Sequence, residues 1–202
     1  MKARTLALTG TSVALLVVLA ACGSSSTDSA SDSSAATAAA STASIAAAAA
    51  ADISFAQLMI PHHQQAVEMA DLALARETSL DVRQLAEAIK GAQDPEIQMM
   101  SGWLQEWGAP MKMGDDHGSH DMGGMTMSGM MTDEQMQALA DATGADFDRM
   151  WLEMMIAHHE GAISMADQVK AESTNAEVTA LADAVIAGQT AEIDTMTTLL
   201  AQ

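Results

Sequence analysis

Two pairs of adjacent histidines, His62-His63 and His158-His159, are the residues of this chain best suited to bind a metal ion. Each pair lies among methionines that repeat at the same spacing. The complete set comprises Met59, His62, His63, Met69, Met155, His158, His159 and Met165. Residues of a helix advance by about 100°, so each half of the set shares one helical stripe, which also carries small alanines and should face the interior. Hydrogen-bonded core histidines are the alternative, but two buried pairs need more partners than a core usually supplies. The pattern predicts an internal metal site.

The types of ligand favour copper over hard metal ions. Thioether and imidazole groups suit copper, Cu(I) above all, and Cu(II) is also compatible with the imidazoles. Di-iron and di-manganese bundles carry Glu-x-x-His motifs, whereas Met59 and Met155 stand three residues before the first histidine of each pair. Glu96 and Glu192 remain as candidate carboxylate ligands, so a mixed site stays open. Copper is the favoured cofactor.

A second group of candidate ligands lies in residues 108–131, which are rich in methionine and glycine. The absence of helical periodicity predicts a mobile loop. Its candidate ligands are His117, His120, Met122, Met125, Met127, Met130 and Met131. Methionine in such a loop can neither pack nor form strong hydrogen bonds. Capture of a soft ion therefore explains it better than a low-complexity linker or an adhesive surface for a partner protein.

The elements that must position these residues occur twice in the chain. A shift of 96 residues aligns residues 52–106 with residues 148–202 without a gap and gives 20 identities in 55 pairs. The identities include both histidines and two methionines of each copy. Further along, Gln93/Gln189 and Glu96/Glu192 also match. Chance does not produce such a match, so we infer an internal duplication.

Each copy has the pattern of a helical hairpin. Apolar residues recur every three or four positions from Asp52 to about Glu77, and a second amphipathic helix follows a predicted N-cap at Ser79. Asn175 is the equivalent cap in the second copy. Two such hairpins must bury their apolar stripes against each other, which predicts an all-α four-helix bundle with pseudo-two-fold symmetry.

Proline and capping signals refine these helices. Pro61 and Pro95 fall inside the helices of the first hairpin, where we expect local bends instead of breaks. Residues 132–135 have the pattern of a capping box that opens a short helix to about Ala140. Thr143-Gly144 should end it before the third long helix.

The first 21 residues resemble a bacterial lipoprotein signal peptide. Lys2 and Arg4 precede a mostly apolar stretch from Leu6 to Ala20, which is too short and too polar for a good membrane span. Cys22 follows, the only cysteine, at the place where a lipoprotein is cleaved and lipidated. An ordinary secretory peptide with a chance cysteine is the alternative. A single cysteine also excludes an intrachain disulfide.

The chain therefore divides into a signal peptide, a tether and one domain. Residues 22–51, rich in Ser, Ala and Thr, should form a flexible tether, although the poly-alanine run at its end could extend the next helix. The duplicated domain, residues 52–202, is predicted as hairpin 52–107, loop 108–131, short helix and turn 132–145, and hairpin 146–202.

The composition excludes some classes of function. The chain has 27 acidic against 8 basic residues and a net charge of −19, so it could not neutralise a phosphate backbone, and nucleic-acid binding is excluded. The electrostatic field of this negative charge attracts cations. A hydrolase is not supported, because the histidines lie on helices with no G-x-S-x-G turn.

Two segments carry a family resemblance. FAQLMIPHHQQAVEMA at residues 55–70 and WLEMMIAHHEGAISMA at residues 151–166 resemble the signature of the domain of unknown function 305 family. The resemblance, over residues 52–202, implies a secreted or periplasmic, ferritin-like four-helix domain. For some members it also implies copper binding through Met and His, and it points to the eight residues of the two stripes. Ala157 departs from Pro61 of the first copy, which leaves the geometry of the second motif open.

The favoured function is that of a non-enzymatic copper-binding protein outside the cytoplasm, tethered to a bacterial membrane by lipid at Cys22. It would buffer copper, confer tolerance or transfer the ion. The sequence leaves open whether the protein has a copper-handling partner protein and whether it forms a homo-oligomer. The alternatives are a ferritin-like oxidase of Cu(I) or Fe(II), and a structural or partner-binding envelope lipoprotein whose methionines only fill the core.

Overall fold

A computed structural model describes residues 32–112 and 128–202, with side chains from residue 49 onward. Every regular element in these residues is helical. The five helices are α1 (Asp32–Leu74), α2 (Leu80–Glu106), α3 (Asp133–Asp141), α4 (Gly144–Glu172) and α5 (Ala176–Leu200). The all-α prediction is confirmed.

The two predicted hairpins are present and form the bundle. Helix α1 packs along α2, and α4 packs along α5. The hairpins meet mainly through α1 and α4, with a smaller contact between α2 and α5, while the short α3 touches α4. The helices that carry the histidine pairs are therefore the two that cross at the centre of the molecule.

The predicted N-caps are confirmed. The backbone N–H of Val82 donates to Ser79 Oγ over 3.3 Å, and that of Glu177 donates to Asn175 Oδ1 over 2.9 Å. Both caps satisfy a donor that the first turn of a helix leaves free. The capping box at the start of α3 is also present, with both of its reciprocal bonds.

Neither proline of the first hairpin interrupts its helix. Pro61 lies within α1 and Pro95 within α2, and both helices continue past them. Each proline removes only one hydrogen bond of the helical ladder, and the packing of long neighbouring helices outweighs that loss.

Helix α1 differs from the prediction at both ends. It begins at Asp32, so residues 32–51 are helical where a flexible tether was expected; their many alanines, the best helix formers, account for this. The helix ends at Leu74 instead of about Glu77. There the guanidinium of Arg83 donates to the carbonyl oxygens of Leu74 and Arg76, which supplies partners to the free carbonyls of the helix end.

The core has two apolar clusters, one on each side of the histidines. The first joins residues 55–60 of α1 to residues 162–169 of α4, and the second joins residues 66–73 of α1 to residues 147–155 of α4. Both clusters also include residues of α2 and α5. The antiparallel crossing of α1 and α4 therefore leaves the histidine pairs between two dry layers.

The predicted signal peptide and Cys22 lie outside the described residues. Among the helices that are described, none is both long enough and apolar enough to cross a membrane.

Candidate metal centre

All four histidines of the two pairs are buried where α1 and α4 cross. His62, His63 and His159 are 0% exposed and His158 is 1% exposed. The expected inward orientation of the stripes is confirmed. The four methionines of the stripes are buried with them.

The first histidine of each pair meets its counterpart. The ring centroids of His62 and His158 lie 3.8 Å apart, with 45° between the ring planes. Two imidazoles from different halves of the duplication thus touch at the pseudo-two-fold axis, 96 residues apart in sequence.

The second histidine of each pair contacts a carboxylate on the neighbouring helix. His63 Nε2 lies 2.7 Å from Glu96 Oε2, and His159 Nε2 lies 2.8 Å from Glu192 Oε2. A carboxylate accepts, so Nε2 carries the proton in both rings when the imidazoles are neutral, and the lone pair is left on Nδ1. Glu96 and Glu192, considered as direct ligands from the sequence, therefore orient the imidazoles in this structure. Such an arrangement is typical of histidines that bind metals through the other nitrogen.

His62 has a partner that His158 lacks. Its Nε2 lies 3.0 Å from the carbonyl oxygen of Ser128, which can only accept, so this ring also keeps its lone pair on Nδ1. Neither ring nitrogen of His158 forms a hydrogen bond of good geometry; the backbone of His62 gives the ring only a weak interaction, the smallest influence on its pKa.

Two glycines allow the last residues of the methionine-rich loop to approach the histidines. A Cβ at Gly161 would lie 1.9 Å from the carbonyl oxygen of Ser128, and a Cβ at Gly129 would lie 2.5 Å from the carbonyl oxygen of Ala157. Gly129 also has a φ of 81°, which favours glycine. Side chains at either position would push Ser128 away from His62.

Burial keeps the central imidazoles neutral. It lowers the pKa of His158 from 6.5 to about 2, with the nearby His62 as the next cause, and it lowers the pKa of His62 to about 4. The bond to Ser128 moderates the second shift. A neutral imidazole is the form that binds a metal ion, so both rings are ready to act as ligands at neutral pH.

The Nδ1 atoms of the histidines have no hydrogen-bond partner, and a bound ion could take the place of one. Nδ1 of all four histidines is buried and forms no hydrogen bond. A buried polar atom left without a partner costs about 1–3 kcal/mol, so several of them in one place need an explanation. The Nδ1 lone pairs of His62, His63 and His159 are not used by any hydrogen bond and are available to an ion.

Imidazoles and carboxylates alone do not complete a site. Within residues 32–112 and 128–202, no group of three or more His, Cys, Asp or Glu side chains is arranged to hold a metal ion. An ion at the central rings therefore needs ligands of another type. Met59 and Met155 stand one helical turn before His62 and His158, on the same helix faces, and offer thioethers.

The four methionines fall into two pairs, one per core cluster. Met59 and Met165 belong to the first cluster, and Met69 and Met155 to the second. The indole N–H of Trp151 donates to the carbonyl oxygen of Met69 over 2.8 Å, which ties α4 to α1 beside the second pair. The four buried histidines, His62, His63, His158 and His159, are called the histidine layer. Methionine side chains thus lie in the core clusters on both sides of it.

Most of the predicted loop ligands lie outside the described residues: His117, His120, Met122, Met125 and Met127. Met130 is described and half-buried. The end of the loop differs from the mobile segment expected there. The amide of Gln65 donates to the carbonyl oxygen of Met131 over 2.9 Å and accepts from its N–H over 2.7 Å, which fixes the chain against α1.

Ser128, Gly161 and Gln65 were not identified from the sequence. Their contacts depend on the path of the loop across α1 and α4, which no periodicity encodes. Gln93 and Gln189 are buried polar residues whose signal in the sequence is that the duplication repeats them.

Comparison with known proteins places the chain in a family. A family described as a domain of unknown function, DUF305, matches residues 52–200. The chain belongs to this family. The resemblance inferred from the histidine motifs is therefore confirmed, and the matched region is the duplicated domain. No curated protein sequence matches the chain.

Solved structures of DUF305 relatives share the fold. A DUF305 protein from Streptomyces coelicolor, described as secreted, is 36% identical, with a TM-score of 0.70 over 75% of this chain and 92% of its own. CopM in a Cu(II)-bound form is 35% identical, with a TM-score of 0.61 over 74% of this chain and 95% of that one. CopM in a Cu(I)-bound form gives 33% identity and a TM-score of 0.60 over 73% and 94%.

Proposed function

We propose that this DUF305 protein binds copper outside the cytoplasm, to buffer the ion or hand it on, and does so without catalysing a reaction. The histidine layer at the crossing of α1 and α4 would be the main site. Copper is the cargo, and the protein supplies nitrogen and sulfur ligands for it.

The observation that carries this proposal is the state of His158. Its ring is 1% exposed, lies 3.8 Å from that of His62, and forms no hydrogen bond of good geometry at either nitrogen. An apolar side chain would fill this position at lower cost, because it has no polar atoms to leave unpaired. A bound ion would give the unpaired nitrogens of both rings a partner.

The ligand types support copper as that ion. Buried imidazoles flanked by thioethers suit Cu(I), and the imidazoles also suit Cu(II), whereas ions that prefer oxygen would gain little from sulfur. The relative CopM has been solved in Cu(I)-bound, Cu(II)-bound and silver-bound forms, and the two chains share about a third of their residues.

Glu96 and Glu192 would act by positioning the imidazoles. Each accepts from Nε2 of one histidine, which holds the ring in place and keeps the Nδ1 lone pair directed away from the carboxylate. His62 is held in the same tautomer by Ser128. Three of the four rings thus keep one fixed donor atom for the ion.

The loop would capture the metal ion, and the N-terminus would determine where the protein is located. The histidines and methionines of residues 113–127 would take up the soft ion from solution, and lipid at Cys22 would hold the domain at a bacterial membrane. The secreted relative from Streptomyces coelicolor supports a location outside the cytoplasm.

The test is a Cu(I) competition titration against a chromophoric chelator, with the full chain without its signal peptide. Wild type should remove copper from the chelator in a defined stoichiometry, and the variant with His62, His63, His158 and His159 all changed to Ala should lose that binding. A second variant, Met99→Leu, changes an exposed methionine away from the layer and is the matched control.

The same preparation distinguishes the alternatives. Unchanged affinity and stoichiometry in the four-histidine variant would contradict the proposed centre. Oxygen uptake during turnover of Cu(I) or Fe(II) would instead favour the oxidase. No thermal shift with Cu(I), Ag(I) or Cu(II) would favour a structural lipoprotein.

A further inference from the structure

A small pocket lies between α2 and α5, on the other side of the glutamates from the histidine layer. Its volume is about 40 Å³. A cavity needs roughly 10–15 Å³ to hold one water molecule, so this pocket has room for one small ion with water. The polar side chains that line it are Gln93, Glu96, Gln189 and Glu192.

Both glutamines have a buried amide oxygen without a hydrogen-bond partner within the described residues. Gln93 is 2% exposed, and neither its amide oxygen nor its amide nitrogen has a partner. Gln189 is 4% exposed, and its amide oxygen is buried and unpaired. A buried amide without hydrogen bonds is costly, and here the same cost occurs in both copies of the duplication.

The two glutamates add negative charge to the same pocket. Their side chains are 19% exposed, and each uses one oxygen, Oε2, to accept from a histidine. Two carboxylates and two amide oxygens therefore face a pocket that contains no basic side chain among its lining residues.

We propose that this pocket binds a divalent cation that prefers oxygen ligands, in addition to the soft ion of the histidine layer. The donors would be the amide oxygens of Gln93 and Gln189 and carboxylate oxygens of Glu96 and Glu192, with water completing the coordination. Carboxylate, carbonyl and water ligands suit Mg²⁺, Ca²⁺ and Mn²⁺. Two carboxylates balance the charge of one such ion.

This second site goes beyond the proposed copper function, because its ligands and its ion class differ. It does share the glutamates, each of which contacts a histidine on one side and the pocket on the other. A variant of the glutamines therefore separates the two sites better than one of the glutamates, since neither glutamine is hydrogen-bonded to an imidazole in the described structure.

The test uses Mn²⁺ as the probe. The full chain without its signal peptide is first loaded with Ag(I) to occupy the soft ligands, and Mn²⁺ binding is then followed by the loss of the free-ion signal in electron paramagnetic resonance, at moderate salt to suppress the acidic surface. The test variant is the double change Gln93→Leu and Gln189→Leu. Gln105→Leu, an exposed glutamine of α2, is the matched control.

Wild type and the control should bind one Mn²⁺ per chain, and the double variant should lose this stoichiometric site while keeping its affinity for Cu(I). A thermal melt checks that the double variant folds. Absence of a stoichiometric site in wild type would mean that the pocket holds water only, and equal binding in all three proteins would mean surface binding; both overturn the inference. A parallel loss of Cu(I) affinity would show that the two sites are not separate and would also overturn it.

Discussion

The buried, neutral imidazoles should make the metal-free protein sensitive to acid. The pKa of His62 is lowered to about 4 and that of His158 to about 2 in the folded chain, against 6.5 for an ordinary histidine. Between these values and 6.5 the unfolded state binds more protons than the folded state. The contribution of these two histidines to the free energy of unfolding is therefore fully present above pH 6.5 and is lost as the pH falls toward 4.

The size of the effect follows from the two shifts. One pKa unit corresponds to about 1.4 kcal/mol, and at pH 4 each of the two histidines has lost about 3 kcal/mol of stabilisation. Together they remove about 6 kcal/mol, which is comparable to the whole stability of an ordinary domain. Asp52 acts in the opposite direction, because burial raises its pKa.

Urea unfolding followed by helical circular dichroism at pH 7, 5 and 4, in the presence of a chelator, would measure this loss. His158→Leu should flatten the dependence by about 3 kcal/mol at pH 4, because one of the two titrating groups is removed. Met155→Leu is the control, since it changes the same core without removing a titrating group. If wild type and His158→Leu lose the same free energy between pH 7 and pH 4, the imidazoles do not carry the effect and the reasoning fails.

Three further predictions concern the contact at Gly161, the two carboxylates and the N-terminal cysteine. Gly161→Ala should destabilise the domain by about 1–3 kcal/mol in urea unfolding, because the new Cβ would collide with the loop backbone, whereas Gly91→Ala, with open space around it, should stabilise by up to about 1 kcal/mol; equal effects would contradict the tight contact. Glu96→Gln should weaken copper affinity by roughly 10–100-fold in the chelator titration, and Glu192→Gln should match it, because the two carboxylates orient equivalent imidazoles. Cys22→Ala should move the protein from the membrane pellet to the soluble fraction on cell fractionation; an unchanged distribution would exclude a lipid anchor at this residue.

Much of the fold follows from periodicity. The stripe through Met59, His62 and His63 predicts the buried face of α1, because a helix that packs on one side must place its apolar and small residues on that side. The duplication then fixes the second half, since equal sequences fold alike. Caps such as Ser79 depend on local hydrogen bonds, which sequence neighbours alone determine.

The remaining features depend on tertiary contacts. The bond between Ser128 and His62 forms only because the loop returns across α4 at Gly161, and nothing in the local sequence sets that path. The unpaired nitrogens of His158 likewise arise from the distance between helices. Residues 32–51 show a different limit, because their composition fits both a tether and a helix, and alanine propensity favours the helix.

Ser128 is hydrogen-bonded to only one of the two central histidines, which should affect how the two halves of the centre bind a metal ion. In a dimer of identical hairpins, any contact made by one copy is repeated by the other, and the two central rings would be equivalent. Fusion into one chain removes that constraint, so one nitrogen of His62 is hydrogen-bonded to Ser128 while His158 has no equivalent bond of good geometry. A titration should therefore resolve unequal steps instead of one. Because both halves are covalently joined, the centre also stays assembled at any dilution.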